Sequence, residues 1–574
     1  MRRSHILAAT SSAALLLTAA LAGTTLTSTA SASSSSSTST TATTYVVLAD
    51  RGTSADALAR RLAASGATVT SVNEAIGMVV VSSADAGFRR EASGLAHVAG
   101  VAADRSIGYA PARRPQAIER ENVGAATANA TSAGKHARPA KSDPLDDQLW
   151  GMRMIHADQA HAVTLGSRQV RVGIIDTGVQ ADHPDIHPNF DYERSRNFVT
   201  DMPDIDGPCE HPSCVDPVGE DDGGHGTHVA GTIGAAMNGL GVSGVAPKVD
   251  LVEVRAGQDS GYFFLAPTVD ALTYAGDAKL DVVNMSFYVD PWLYNCTGGA
   301  PEDSAAEAAD QATIIEAMDR ALDYAHGKGV TLVAATGNNH EDLANPRHDF
   351  SSPDYGSPAH ERTIDNASCF DLPVEGPHVI GVDALGPSGK KSDYSNYTTD
   401  LTSGEVEVSA PGGWYRDGYG TASYRSNGNM ILSTVPLVSV QETGEVDENG
   451  NITPLGEADG VQKVCQADPE PGTSACGYYA FYQGTSMASP HATGVAALAV
   501  AAHGSKVRGD LGLAPDTVRS LLMGTATDHA CPEGGVQGYT AEGRPASWTA
   551  TCVGTSAYNG FYGDGIVNAL GVVQ

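Results

Sequence analysis

Residues 170–179 read VRVGIIDTGV: an almost unbroken apolar run that ends abruptly in aspartate, threonine and glycine. A run without polar alternation suits a strand covered on both faces. The same pattern returns as VDLVEVRA at 249–256, LDVVNMS at 280–286, VTLVAATGN at 330–338 and HVIGVDA at 378–384, with helical patterns between. The expected fold is therefore α/β, a mostly parallel sheet between helix layers. Sites in such sheets gather where strands end. Asp176, Ser286 and Asn338 each fall at the end of a run.

Two further segments carry polar residues in marked contexts. In GGHGTHVAGTIGAA (223–236) glycines give way to a small-residue helix that starts near His225. In YQGTSMASPHATGVAALAVAAH (482–503) a glycine precedes Ser486 and an alanine-rich helix follows. Proline is tolerated in a first helical turn, so Pro490 places the helix start close to Ser486, where backbone donors and the helix dipole favour negative charge. Each residue alone has an ordinary structural use: a strand-terminal Asp caps a turn, and a His or Ser at a helix start caps the helix. Together they supply what acyl transfer from a peptide requires, namely a nucleophile, a base and a carboxylate that orients the base.

The segments IIDTGV, HGTHVAG and GTSMASPH, in that order, resemble the three signatures of the subtilisin-like serine proteases over roughly residues 145 to 574. The resemblance implies that fold and a serine endopeptidase. Ser486 would attack the scissile carbonyl, His225 would act as general base and then acid, and Asp176 would orient it. His228 would be structural. The segment AATGNN is similar to the one that supplies the family's oxyanion-hole amide, which falls on Asn338, with the Ser486 backbone N–H as second donor. No cofactor is implied for catalysis; a structural calcium ion is compatible with the family but falls on no nameable residues here, although Asp182, Asp185 and the acidic GEDDGG before His225 raise the question. Protein or peptide substrates are implied as partners.

The chain departs from the family in two places. The strand LDVVNMS commonly continues into Leu-Gly-Gly and forms a wall of the pocket for the side chain preceding the cut. Here it continues as Phe287 and Tyr288, which cannot approach a ligand as glycine does. Ser286, Phe287 and Tyr288 are expected to bind substrate, but the family's usual preference for large apolar side chains is not carried over to them. The stretch VQETGEVDENGNITPLGEADG (440–460) lies in a longer connection than the family's compact members have, and its charges read first as a solvated face.

The beginning of the chain suggests export. Two arginines precede an apolar stretch, and small residues surround Ala30–Ala32, as in secretory signals. That stretch is interrupted and shorter than the roughly 20 residues a membrane span needs. The expected organisation is a signal peptide (1–32), a Ser/Thr-rich linker (33–44), a small α+β unit (45–109) similar to the family's inhibitor-like propeptides, a cleavable connector (110–145) and the catalytic domain (146–574). A leader removed by the enzyme itself would be cut between Tyr109 and Asp146. The expected product is a secreted monomer, with its own propeptide as intramolecular inhibitor and no membrane partner after signal removal.

Residues 1–141 carry 14 Lys and Arg against 8 Asp and Glu, and the remainder 21 against 59. So acidic a body argues against nucleic acid as a partner. All eight cysteines lie beyond residue 200, an even number that fits disulfides. Short separations suggest Cys209 with Cys214, Cys465 with Cys476 and Cys531 with Cys552, leaving Cys296 for Cys369; other pairings stay open on sequence alone. No Cys-x-x-Cys and no His-Glu-x-x-His occurs, against a zinc peptidase. An intact HGTH argues against relatives with glutamate in the histidine's place. A catalytically silent relative that binds peptides or sits on a surface would lack a triad member, and all three are present.

Overall fold

Seven strands form the central sheet of the computed structural model in the order Val408–Pro411, Val379–Leu385, Thr331–Ala335, Val282–Met285, Arg171–Ile175, Asp250–Arg255, Arg196–Asn197, and every neighbouring pair is parallel. The five apolar runs supply five of these strands, and each is buried on both faces because helices cover both sides. One layer holds the helices His225–Gly234 and Thr485–His503 against the core around Ile174, Val333 and Val382. The other holds Leu265–Asp277 and Ala305–Gly327 against Val252, Val283 and Leu332. A Ser304–Glu307 capping box starts the 23-residue helix Ala305–Gly327.

The structure describes residues 42–104, 142–352, 359–507 and 510–574. The expected signal peptide, residues 33–41 of the linker, 105–109 of the α+β unit and 110–141 of the connector lie outside them. What is described belongs to one compact unit, Ala42–Gln574.

Residues 43–104 form a four-stranded antiparallel sheet in the order Thr68–Asn73, Met78–Ser83, Thr43–Ala49, Val98–Asp104. One face packs on the unit's own helices through Val47, Leu58, Leu62, Val79 and Phe88. The other face, with Val46, Leu48, Met78 and Val80, joins the core of the helix pair Leu265–Asp277 and Ala305–Gly327. Polar contacts fix this docking. Arg320 donates to the carbonyls of Ala49 and Ile76 at 2.8 and 2.9 Å. Asp310 pairs with Arg89 at 2.6 Å and accepts from the Ala103 N–H at 3.0 Å, and Asn73 donates to Asp270 and Thr273.

The acidic stretch 440–460 is a local elaboration. It carries helix Pro454–Asp459 and a turn in which Asp447 accepts from the N–H groups of Asn449 and Asn451. Beside it, Ile431–Val435, Cys476–Tyr482 and Gln462–Cys465 make a small antiparallel sheet. All four disulfides pair as the separations suggest, and no cysteine is free.

Candidate active site

Asp176 leaves strand Arg171–Ile175 fully buried, and its Oδ1 accepts from the Thr177 N–H at 2.8 Å and meets His225 Nδ1 at 2.7 Å. That contact fixes the imidazole plane and leaves Nε2 as the ring nitrogen not engaged by the carboxylate. The local sequence explains the close approach: a Cβ at position 226 would stand 2.1 Å from the Gly178 carbonyl oxygen and 3.0 Å from Asp176 Cβ, so only glycine lets the histidine helix reach the aspartate strand. Asp221 fastens the same helix start. Its carboxylate accepts from the Gly224 and Thr227 N–H groups and from the Thr177 and Thr227 hydroxyls. Within GEDDGG, Asp221 is thus a helix-start acceptor that the sequence did not single out.

Helix Thr485–His503 begins one residue before Ser486. The expectation that Pro490 sits in its first turn is corrected, since Pro490 lies in the second turn. A proline there removes the N–H that would bond to the carbonyl of Ser486. Ser286 takes its place: its hydroxyl donates to the Ser486 carbonyl at 3.1 Å. The Ser486 hydroxyl in turn points to the Ser286 carbonyl at 3.4 Å, a weak contact.

Asn338 follows strand Thr331–Ala335, and its side-chain oxygen accepts from both the N–H and the hydroxyl of Thr485 at 2.9 Å. Its amide nitrogen is thereby left as the donor group. Gly337 has φ +101° and donates to the Thr485 hydroxyl; a Cβ there would stand 2.6 Å from Asn396 Nδ2. Asn396 holds the turn by donating to the Thr336 carbonyl and accepting from the Asn339 and Glu341 N–H groups. Thr485 could be read from its place beside Ser486, whereas Asn396, 58 residues beyond Asn338, carries no sequence signal.

His225, Ser286, Phe287, Tyr288, Asn338 and Ser486 line one cleft of about 440 Å³ together with Thr177, Gly337 and Asp371. Phe287 stacks on Phe263 with ring centroids 4.0 Å apart, making a flat apolar wall. Tyr288 is half-buried against the cluster around Leu293. His228, one helical turn from His225, lies outside this lining. It is buried, has Nε2 within 3.1 and 3.2 Å of the Ile431 and Ala480 carbonyls and stacks on Tyr482, and burial holds its pKa down at about 3.

Two of the acidic residues that raised the question of a metal, Asp182 and Asp185, have partners in the protein. Asp182 accepts from Gln180 and Ser474, and Asp185 from the Val242 N–H and the Tyr479 hydroxyl. Glu220 and Asp222 of GEDDGG stand in groups that could hold a cation: Asp201 with Glu210 and Asp216, Asp216 with His211 and Glu220, and Glu210 with Asp222 and Asp259 bring ligand atoms within 4.8 Å of one another. The buried guanidinium of Arg255 already pairs with Asp201, Asp216 and Asp259.

The geometry agrees with the comparisons. The profile of the Subtilase family matches residues 167–543. Subtilisin DY of Bacillus licheniformis is 29% identical over 285 residues, 50% of this chain and 80% of its own. Subtilisin BL of Lederbergia lenta is 25% identical over 285 residues, 50% of this chain and 79% of its own. Among solved structures, the epidermin leader peptide processing serine protease of Staphylococcus aureus superposes with a TM-score of 0.59 at 18% identity, over 93% of this chain and 98% of that one. Fervidolysin of Fervidobacterium pennivorans, described as a keratinolytic enzyme related to subtilisin, gives 0.51 at 20%, over 93% of this chain and 61% of that one. These two likenesses speak for the fold. The family match covers more than half of the chain, including the Asp176, His225 and Ser486 segments, and the chain belongs to the subtilase family of serine endopeptidases.

Proposed function

We propose that Ser486 is the nucleophile of this endopeptidase, with His225 as general base and then acid, Asp176 as its orienting carboxylate, and Asn338 with the Ser486 N–H as the oxyanion hole. The observation that carries this reading is the Asp176–His225 contact of 2.7 Å in the cleft that Ser486 and Asn338 also line. Rotation of the Ser486 side chain exchanges its weak bond to the Ser286 carbonyl for one to His225 Nε2. The imidazole takes the hydroxyl proton as Oγ attacks the substrate carbonyl, and Asp176 stabilises the imidazolium. The carbonyl oxygen becomes an oxyanion facing Asn338 Nδ2, whose orientation is already set by Thr485, so little reorganisation accompanies the reaction. Collapse of the intermediate passes the proton to the leaving amine, and water hydrolyses the acyl-enzyme by the same steps in reverse. No cofactor enters this chemistry.

The chain is, in this reading, made as a precursor and exported. Residues 45–109 act as an inhibitory propeptide, and the enzyme removes them by cutting between Tyr109 and Asp146. The second core face of residues 43–104 against the body's helices supports a unit that folds on the enzyme. Four disulfides support an oxidising compartment, and among the described residues no helix is long and apolar enough to cross a membrane. The mature enzyme acts as a monomer on proteins or peptides.

Ser486→Ala tests both parts. It should abolish casein hydrolysis and leave an unprocessed chain in the culture medium; normal processing and cleavage by this variant would refute the assignment.

A further inference from the structure

One group in the cleft has no task in the chemistry above. Asp371 ends strand Cys369–Asp371, which pairs with Tyr294–Cys296 and is tied to it by the Cys296–Cys369 disulfide. Its side chain lines the cleft although the residue is only 3% exposed. Among the described residues neither a cation nor a hydrogen-bond donor is paired with its carboxylate. The guanidinium of Arg362 is committed to Asp303 and Asp349. Burial and the nearby Asp349 push the Asp371 carboxyl well above the ordinary carboxylate range, because burial and a like charge both disfavour its ionised form. The other acid of the cleft, Asp290, accepts from the Phe263 N–H and is used in holding that segment.

Position decides what Asp371 meets. Its Oδ2 lies 3.5 Å from where a Cβ on Gly337 would stand. Gly337 immediately precedes Asn338 and donates to Thr485, the neighbour of Ser486. The carboxylate therefore stands beside the proposed oxyanion hole. On the catalytic assignment above, the side chain preceding the cut would enter the same cleft. Gly337 leaves the approach open on one side, and Phe287, stacked on Phe263, offers an apolar face on the other. An apolar stem ending in a cation fits such a channel, because the stem packs on the ring while the head pairs with the carboxylate.

Resting on the catalytic assignment above, we propose that Asp371 determines specificity and that this enzyme cuts peptide bonds following lysine or arginine, whose cation pairs with the Asp371 carboxylate. A large neutral side chain would leave that buried acid unpaired, and an acidic one would be repelled.

The test uses the processed enzyme and tetrapeptide anilides that differ only in the residue before the scissile bond: Arg, Lys, Leu, Phe, Gln or Glu. A fluorophosphonate that labels the active serine counts competent sites, and kcat/KM is expressed per labelled site, so a poorly folded variant does not imitate lost selectivity. Arg and Lys should exceed Leu, Phe and Gln by about 30-fold or more, and Asp371→Asn should shrink that ratio by a similar factor. Asp371→Glu should keep the preference for a cation. A labelled enzyme that cuts after Leu, Phe or Gln as fast as after Arg, or an Asp371→Asn variant that keeps the ratio, overturns this inference alone. An enzyme whose Ser486 takes no label overturns the catalytic assignment and this inference with it.

Discussion

Ser286 and Ser486 hold each other reciprocally: the Ser286 hydroxyl donates to the Ser486 carbonyl at 3.1 Å, and the Ser486 hydroxyl faces the Ser286 carbonyl at 3.4 Å. The first bond exists because Pro490, four residues on, has no N–H to give to that carbonyl. The helix thus departs from its own ladder at Ser486, and a strand end from the sheet fills the gap. Ser286→Ala should cost about 1–3 kcal/mol by leaving a buried acceptor unsatisfied. Adding Pro490→Ala restores an N–H to the helix, so the double variant should lose less than the two single changes together. Urea unfolding in the Ser486→Ala background measures this cycle, and strict additivity would contradict the account.

Asn338 depends on Thr485 for its orientation. Asn338→Ala should lower kcat by about 10²–10³-fold with KM little changed, as expected for a donor engaged only in the transition state. Thr485→Val, which removes the hydroxyl but keeps the backbone N–H, should cause a smaller loss in the same parameter. A Thr485→Val effect confined to KM would place that residue in ground-state binding instead.

His228 is buried with its pKa held at about 3, against about 6.5 in an unfolded chain. The unfolded state then binds one more proton than the folded state between those values. This residue's contribution to stability is full above pH 6.5 and is lost as pH falls, by up to about 1.4 kcal/mol per pH unit, until pH 3. Replacing it with glutamine, which can still donate to the Ile431 and Ala480 carbonyls, should flatten the stability profile between pH 6 and pH 4 by one proton. Parallel profiles for the two proteins in the Ser486→Ala background would exclude His228 as a source of acid sensitivity.

The Cys296–Cys369 disulfide closes 73 residues, whereas Cys209–Cys214 spans only 5. Replacing the first pair by alanines should destabilise the protein by about 2–5 kcal/mol, and the second pair distinctly less, since loop-closure entropy grows with loop length. Thermal melting of the two double variants makes the comparison. Because the longer bridge also anchors the strand that ends at Asp371, its loss should blunt discrimination between substrates before it abolishes hydrolysis.

Arg320 supplies two hydrogen bonds to the backbone of residues 43–104. Arg320→Ala should loosen that unit selectively, raising amide exchange at Ala49, Ile76 and their neighbours in the Ser486→Ala precursor while strands Thr331–Ala335 and Val282–Met285 keep their protection. Uniform loss of protection across both parts would show that Arg320 supports the whole body.

Much was legible in the sequence because the relevant signals are local. Unbroken apolar runs marked five strands of the parallel sheet, their ends marked Asp176, Ser286 and Asn338, and glycine followed by small residues marked the helices of His225 and Ser486. Cysteine separations foretold the pairing that the fold adopts. What the sequence misjudged was also instructive: Pro490 looked like a first-turn residue, since nothing local reveals that Ser286, 200 positions earlier, satisfies the carbonyl a proline would orphan. Only the tertiary structure brought Thr485 to Asn338, Asn396 under Gly337 and Asp371 into the cleft. Periodicity records which face of a strand or helix is buried, a property of neighbours in the chain. The convergence of polar side chains depends on strand order and on the close approaches that Gly226 and Gly337 allow, which follow from packing of the whole sheet.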